Sequence, residues 1–178
     1  MNKSNKYSVF LVDDDKMFLT SLNNGLKNYF GESLEIAECT TGEECLRKME
    51  SLSKTDASPD IVILDYYLNE DKGPDTVDGI KVLRKIKSAS KDTIVIMLSG
   101  QDKLQVAIDS IKNGAYEYIT KSETAFLRIQ NILKNAIENI KTARENSKYL
   151  KLNISMAAVI LTIILIDIIW YYSYHYTF

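Results

Sequence analysis

Polar residues placed directly after apolar runs carry the chemistry legible in this sequence: Asp13 and Asp14, Asp65, Ser99 and Lys121. Carboxylates converging on one crevice repel unless a cation joins them, and hard oxygen donors with room for water suit Mg²⁺. Beside such an ion one carboxylate can act as nucleophile toward a phosphoryl group, because the metal and a lysine ammonium neutralise the transferring oxygens. In that scheme Ser99 hydrogen-bonds a phosphoryl oxygen and Lys121 pairs with it. Taken singly each residue has an ordinary explanation. Asp13 to Asp15 read as capping acids of a following helix, with Asp15 the expected cap, Ser99 as a turn residue and Lys121 as a solvated charge. Only their joint placement favours a site.

That placement depends on the elements between them. Ile61-Val62-Ile63-Leu64 reads as a strand buried on both faces, as in a parallel sheet with helices above and below, and Asp65 falls where it leaves the core. Val9–Val12, Leu34–Cys39, Thr93–Leu98 and Tyr116–Thr120 repeat the strand pattern. Helical spacing joins Phe18, Leu19, Leu22, Leu26 and Tyr29, then Cys45, Leu46, Met49 and Leu52 after a Thr41/Glu44 capping box. Further helices carry Ile80, Val82, Leu83 and Ile86, then Val106, Ala107, Ile108 and Ile111 before Asn113-Gly114, and finally Phe126, Ile129, Leu133, Ala136, Ile137 and Ile140. Strands alternating with helices in this way require a parallel α/β sheet. In such sheets ligands bind outside the carboxyl ends of the strands, where all four groups fall.

Composition excludes several classes. The 178 residues hold one ordinary domain and an appendage, and 22 basic against 24 acidic residues favour no nucleic-acid partner. Cys39 and Cys45 lack metal-ligand spacing, the single His175 cannot complete a set with them, and both read as reduced, buried thiols. No cleavable signal is expected, since Met1 to Ser8 is polar and Val9–Val12 is too short.

The last stretch changes class. Ile154 to Tyr172 contains a single charge, Asp167, and spans roughly 28 Å as a helix, close to a hydrocarbon core of about 30 Å. It predicts a transmembrane helix. Trp170, Tyr171, Tyr172, Tyr174 and Tyr176 crowd one end, while Lys134, Lys141, Arg144, Lys148 and Lys151 precede it, which puts the N-terminal domain on the cytoplasmic side of a cell inner membrane in a single-pass protein. Asp167 costs about 2.5–3.5 kcal/mol at a span centre and less near an end, so it reads either as tolerated near the interface or as a pairing residue. The expected organisation is a domain over 6–140, a helical juxtamembrane linker over 141–153, the span over 154–172 and a short extracytoplasmic tail over 173–178.

Val12-Asp13-Asp14, Leu64-Asp65, Leu98-Ser99-Gly100 and Thr120-Lys121 together resemble the receiver domain of two-component response regulators, over Lys6 to about Ile140. The resemblance implies a flavodoxin-like, doubly wound five-stranded parallel sheet of order 2-1-3-4-5 with helices on both faces. It implies Asp65 as phosphoacceptor, and Mg²⁺ held by Asp13, Asp14, Asp65 and the backbone carbonyl of Tyr67. Ser99 and Tyr118 would be a switch pair that reshapes the face of helix four, strand five and helix five, a face that could also form a homodimer. The partners implied are a sensor histidine kinase or phosphotransfer protein and a downstream protein. The expectation is a phosphoacceptor rather than an enzyme, apart from self-dephosphorylation.

Two departures from the family pattern stand out. Lys121 is followed by Ser122 where the family usually has proline after a cis bond, which requires either a costly cis peptide or a rearranged loop. The loop before Asp78-Gly79 is longer than usual, and Glu70, Asp71 and Asp75 add negative charge. Two rivals remain on sequence grounds. Asp13 and Asp15 imitate the Asp-x-Asp of haloacid dehalogenase-like Mg²⁺ phosphatases, although Met17 and the missing cap insertion do not fit. The missing proline suggests a membrane docking module that keeps the fold without phosphorylation.

Overall fold

The computed structural model describes residues 6–54, 57–68, 79–100 and 103–176. Five strands form one parallel sheet: β1 (Tyr7–Val12), β2 (Leu34–Cys39), β3 (Ile61–Asp65), β4 (Ile94–Ser99) and β5 (Glu117–Thr120). Their order is β2-β1-β3-β4-β5, so the flavodoxin-like order expected from the sequence is the observed one. The helices are α1 (Lys16–Phe30), α2 (Gly42–Ser53), α3 (Gly79–Ala89), α4 (Leu104–Lys112) and α5 (Ala125–Tyr176), with a short 3-10 turn at Gly31–Ser33. Residues 1–137 and 138–178 form separate compact units.

In the first unit the apolar runs of β1, β3 and β4 fill the sheet centre. Every residue of β3 is buried, as a strand flanked on both sides and covered on both faces must be. Phe10, Val12, Val62, Leu64 and Met97 pack with Cys39, Cys45 and Met49 and with Val82, Leu83 and Ile86 of α3 in one core. Cys39 and Cys45 are free, fully buried thiols.

Local chemistry sets the helix ends. Asp15 caps α1 by accepting the Met17 and Phe18 N–H groups at 2.8 and 3.1 Å. At α2, Thr41 Oγ1 accepts the Glu44 N–H at 3.1 Å, but Glu44 returns its bond to the N–H of Thr40, one residue before the cap. The capping box is thus displaced by one residue on its return side. Gly114, at φ +95, ends α4 in the left-handed region that favours glycine.

Three stripe residues expected inside lie outside. Tyr29 is 56% exposed and stacks edge-on against Phe30. Ile108 and Ile111 are also exposed, because α4 turns Val106 and Ser110 toward the sheet instead, and the fully buried Ser110 hydroxyl satisfies itself on the Val106 carbonyl at 2.7 Å.

In the second unit α5 carries an apolar stretch with mean hydropathy 2.5, none of it buried. It is long and apolar enough to cross a membrane. Asp167 lies within that stretch and is exposed.

Candidate functional site

Asp13 follows the last residue of β1, Asp65 and Ser99 end β3 and β4, and Lys121 follows β5. The register pairs Val12 with Leu64, Asp65 with Leu98 and Ser99 with Thr120, so the four strand ends finish at one level. A parallel sheet with such aligned ends delivers their side chains into a common crevice.

Within it Asp13 and Asp65 are nearly inaccessible, at 2% and 3%, while Asp14 is exposed. One carboxylate oxygen from each of the three lies within 4.8 Å of the others. Lys121 bridges the buried pair. Its Nζ donates to Asp13 Oδ2 at 2.6 Å and stands 2.9 Å from Asp65 Oδ1. The second contact is an ion pair by distance, yet Asp65 Oδ1 has no hydrogen-bond partner. A buried carboxylate oxygen left in that state is under-satisfied. Asp13 Oδ1, by contrast, accepts the Asp15 N–H at 3.0 Å.

The electrostatics follow from burial. Burial pushes the Asp65 carboxyl up to about 6 against the pull of Lys121, with the Asp13 charge adding to the rise. Burial likewise raises Asp13 above the ordinary carboxylate value, against its hydrogen bond to Lys121. For Lys121 burial acts downward, but the hydrogen bond to Asp13 and the charge of Asp65 outweigh it and hold the ammonium above its usual value. One lysine thus serves two desolvated acids and leaves Asp65 the less satisfied of them.

The described peptide bonds are all trans, the Lys121–Ser122 bond included. Of the two solutions to the missing proline, the chain uses the rearranged loop, and Lys121 still reaches both acids. Its backbone N–H bonds the Ser99 carbonyl at 2.7 Å, which ties the end of β5 to the end of β4.

Ser99 is fully buried at the strand end beside Asp65. Tyr118 is half-buried on β5 and packs against the core cluster, as does Tyr66. Tyr67 lies two residues past Asp65, its ring edge-on to that of Tyr66 at 4.7 Å between centroids. Asp167 belongs to the second unit. Glu70, Asp71, Asp75 and Asp78 lie outside the described residues.

Two residues matter here that sequence reasoning did not single out for this role. Phe18 reads as one more apolar position of α1, but its ring lies 4.7 Å from Lys121 Nζ in cation–π contact. The cap explains it: Asp15 starts α1 directly after the acidic turn, so the first-turn side chain faces the strand ends. Gly79 opens α3 against the turn after Asp65. Its N–H bonds the Tyr66 carbonyl at 3.0 Å, and a Cβ there would stand 2.5 Å from the Asp65 carbonyl oxygen. No side chain fits such an approach. The Asp-Gly pair was visible as a motif, but its packing reason was not.

Comparison with known proteins agrees with this geometry. The family model described as the response regulator receiver domain matches residues 9–134. Chemotaxis protein CheY of Listeria monocytogenes is 32% identical over 112 residues, covering 62% of this chain and 83% of that protein. Transcriptional regulatory protein TrcR of Mycobacterium tuberculosis is 29% identical over 131 residues, 72% of this chain but only 46% of its own length, so the chain matches less than half of that regulator. Among solved structures, a response regulator receiver domain protein from Clostridium thermocellum superposes with TM-score 0.63 at 28% identity, covering 77% of this chain and 98% of that one. With the acids, the lysine and the strand order already in place, the chain belongs to the response regulator receiver domain family.

Proposed function

We propose that the chain is a membrane-tethered receiver that accepts a phosphoryl group on Asp65 and passes its state on by protein contact. The observation that carries this reading is the under-satisfied Asp65 Oδ1, buried, facing Lys121 and grouped with two further carboxylates. A carboxylate so placed is desolvated and oriented, two conditions for a nucleophile.

The donor set fits Mg²⁺. Three carboxylate oxygens within 4.8 Å are hard ligands of the kind that ion prefers, and Asp65 Oδ1 relies on an ammonium shared with Asp13. Asp13, Asp14, Asp65 and the Tyr67 backbone carbonyl would hold it, and the ion would supply positive charge to the phosphoryl oxygens. The chain's own residues do the rest. An Asp65 oxygen forms the new bond to phosphorus as the bond to the donor's leaving group breaks, and the leaving group takes up a proton. Lys121 shifts from two carboxylates to a phosphoryl oxygen, and the Ser99 hydroxyl donates to another. Tyr118, opposite Met97 in the register and three residues before Lys121 on the same chain stretch, responds as the second half of the switch. A histidine kinase or phosphotransfer protein is the donor, and a downstream protein or a second copy at α4, β5 and α5 is the reader.

The phosphatase alternative loses its second acid, since Asp15 is committed to two backbone N–H groups as the α1 cap. The docking-module alternative loses its motive, since Lys121 reaches both acids without proline. The apolar α5 stretch supports a span over 154–172 with the receiver over 6–140 in the cytoplasm. Full-length protein incubated with acetyl phosphate and Mg²⁺ should gain one phosphoryl group by intact mass, and Asp65→Asn should gain none. Label of equal extent on Asp65→Asn overturns the assignment.

A further inference from the structure

We infer that α5 docks a transmembrane helix of another protein that carries a lysine or arginine at the depth of Asp167; the inference rests on the membrane tether proposed above. Asp167 is the single charge between Ile154 and Tyr172. Along the helix it lies roughly 20 Å from Ile154 and about 7.5 Å from Tyr172, in the last third of the apolar stretch but three residues before its aromatic end at Trp170. Unlike lysine or arginine, aspartate has no long stem with which to carry its charge to the interface.

Nor does the sequence place a lysine or arginine within two turns of it. Lys151 lies sixteen residues before it and His175 eight after, about 24 and 12 Å along the axis. Among the described residues its carboxylate makes no ion pair or hydrogen bond. Of the hydroxyl-bearing side chains nearby, Thr162 is already satisfied, donating to the Val159 carbonyl at 2.7 Å, and Tyr171 carries no charge. Asp167 shares one helix face with Ile164, Ile168 and Tyr171, around a shallow hollow. That face combines apolar flanks with one anion, so its complement is an apolar helix with one cation. A second copy would bring another carboxylate to the same depth, which repels where neutralisation is needed.

The test places full-length chain in phosphatidylcholine vesicles with synthetic leucine-alanine transmembrane peptides, and reads association by energy transfer. The peptides carry a single lysine at the depth of Asp167, one turn shallower or one turn deeper, or leucine throughout. The lysine peptide of matching depth should associate about ten-fold more strongly than the leucine peptide. Asp167→Leu should abolish that preference while still floating with the vesicles. Equal association of all peptides overturns the inference. So does self-association of the chain that exceeds its binding to the lysine peptide and disappears in Asp167→Leu, which identifies a second copy as the occupant. Flotation is scored first: wild-type chain that stays with the soluble fraction overturns the tether itself, and with it this inference.

Discussion

Replacing Asp65 by asparagine should stabilise the metal-free protein at neutral pH, although it removes the proposed reactive group. The Asp65 carboxyl ionises at about 6 in the folded chain against an ordinary value of 3.8. A carboxyl whose folded value is raised favours folding fully below the unfolded value, and the benefit is lost as pH rises through the folded one. The whole difference corresponds to about 3 kcal/mol, of which roughly 1.5 kcal/mol falls between pH 5 and pH 8. Urea unfolding of full-length protein in detergent micelles, followed by circular dichroism, should therefore show the wild type losing about 1.5 kcal/mol relative to Asp65→Asn over that interval. Subtracting the two profiles removes the titrating groups remote from Asp65, while Asp13, whose charge adds to the Asp65 rise, stays coupled to the change. Saturating Mg²⁺ should lift the wild type by about 2.7 kcal/mol at a hundred times its dissociation constant, and the variant by less. Parallel profiles, with the variant no more stable at pH 8, would refute the claim that Asp65 is held as an under-compensated buried charge.

The neighbours of Asp65 yield related expectations. Lys121→Met leaves two buried carboxylates without their cation, so unfolding at pH 8 should show a loss below the about 3–5 kcal/mol of a fully buried pair, since Lys121 is partly exposed, and the loss should shrink toward pH 5. Phe18→Leu keeps the apolar bulk but removes the ring face over Lys121; phosphorylation by acetyl phosphate should slow several-fold, about 1 kcal/mol, and Phe18→Tyr should restore it. Equal rates for both variants would deny the ring a positioning role. Gly79→Ala forces a methyl onto the Asp65 carbonyl and should destabilise the domain by about 1–3 kcal/mol with faster amide exchange at the end of β3.

What could be read from the chain beforehand was whatever local pattern determines. Continuous apolar runs became β1, β3 and β4, and a carboxylate directly after such a run had to emerge at the sheet rim, so Asp13 and Asp65 were visible at once. Asp15 was readable as a cap because a side-chain oxygen there accepts from the N–H groups two and three residues on, a purely local arrangement. Phe18 was not, because helical spacing cannot distinguish a ring in the core from one over a buried ammonium. Ile108 and Ile111 misled for a similar reason: α4 satisfies the Ser110 hydroxyl on its own backbone and so can bury it in preference to larger apolar neighbours. The closeness of Gly79 to the Asp65 carbonyl depends on where α3 begins against β3, a tertiary fact with no local signature. The trans bond after Lys121 is the default for a residue followed by serine, but that Lys121 still reaches both acids is a tertiary fact, since the Ser99 carbonyl that ties down its N–H comes from another strand.

The most direct test of the account is to trap the proposed acyl phosphate where it forms. Full-length protein treated with phosphodonor and Mg²⁺ is reduced with borohydride, which converts an aspartyl phosphate to homoserine, and the peptides are sequenced by mass spectrometry. Homoserine at residue 65, dependent on both donor and Mg²⁺, is the predicted result. Homoserine at residue 13 or 14 with residue 65 intact, or none at any of these three residues, would contradict it.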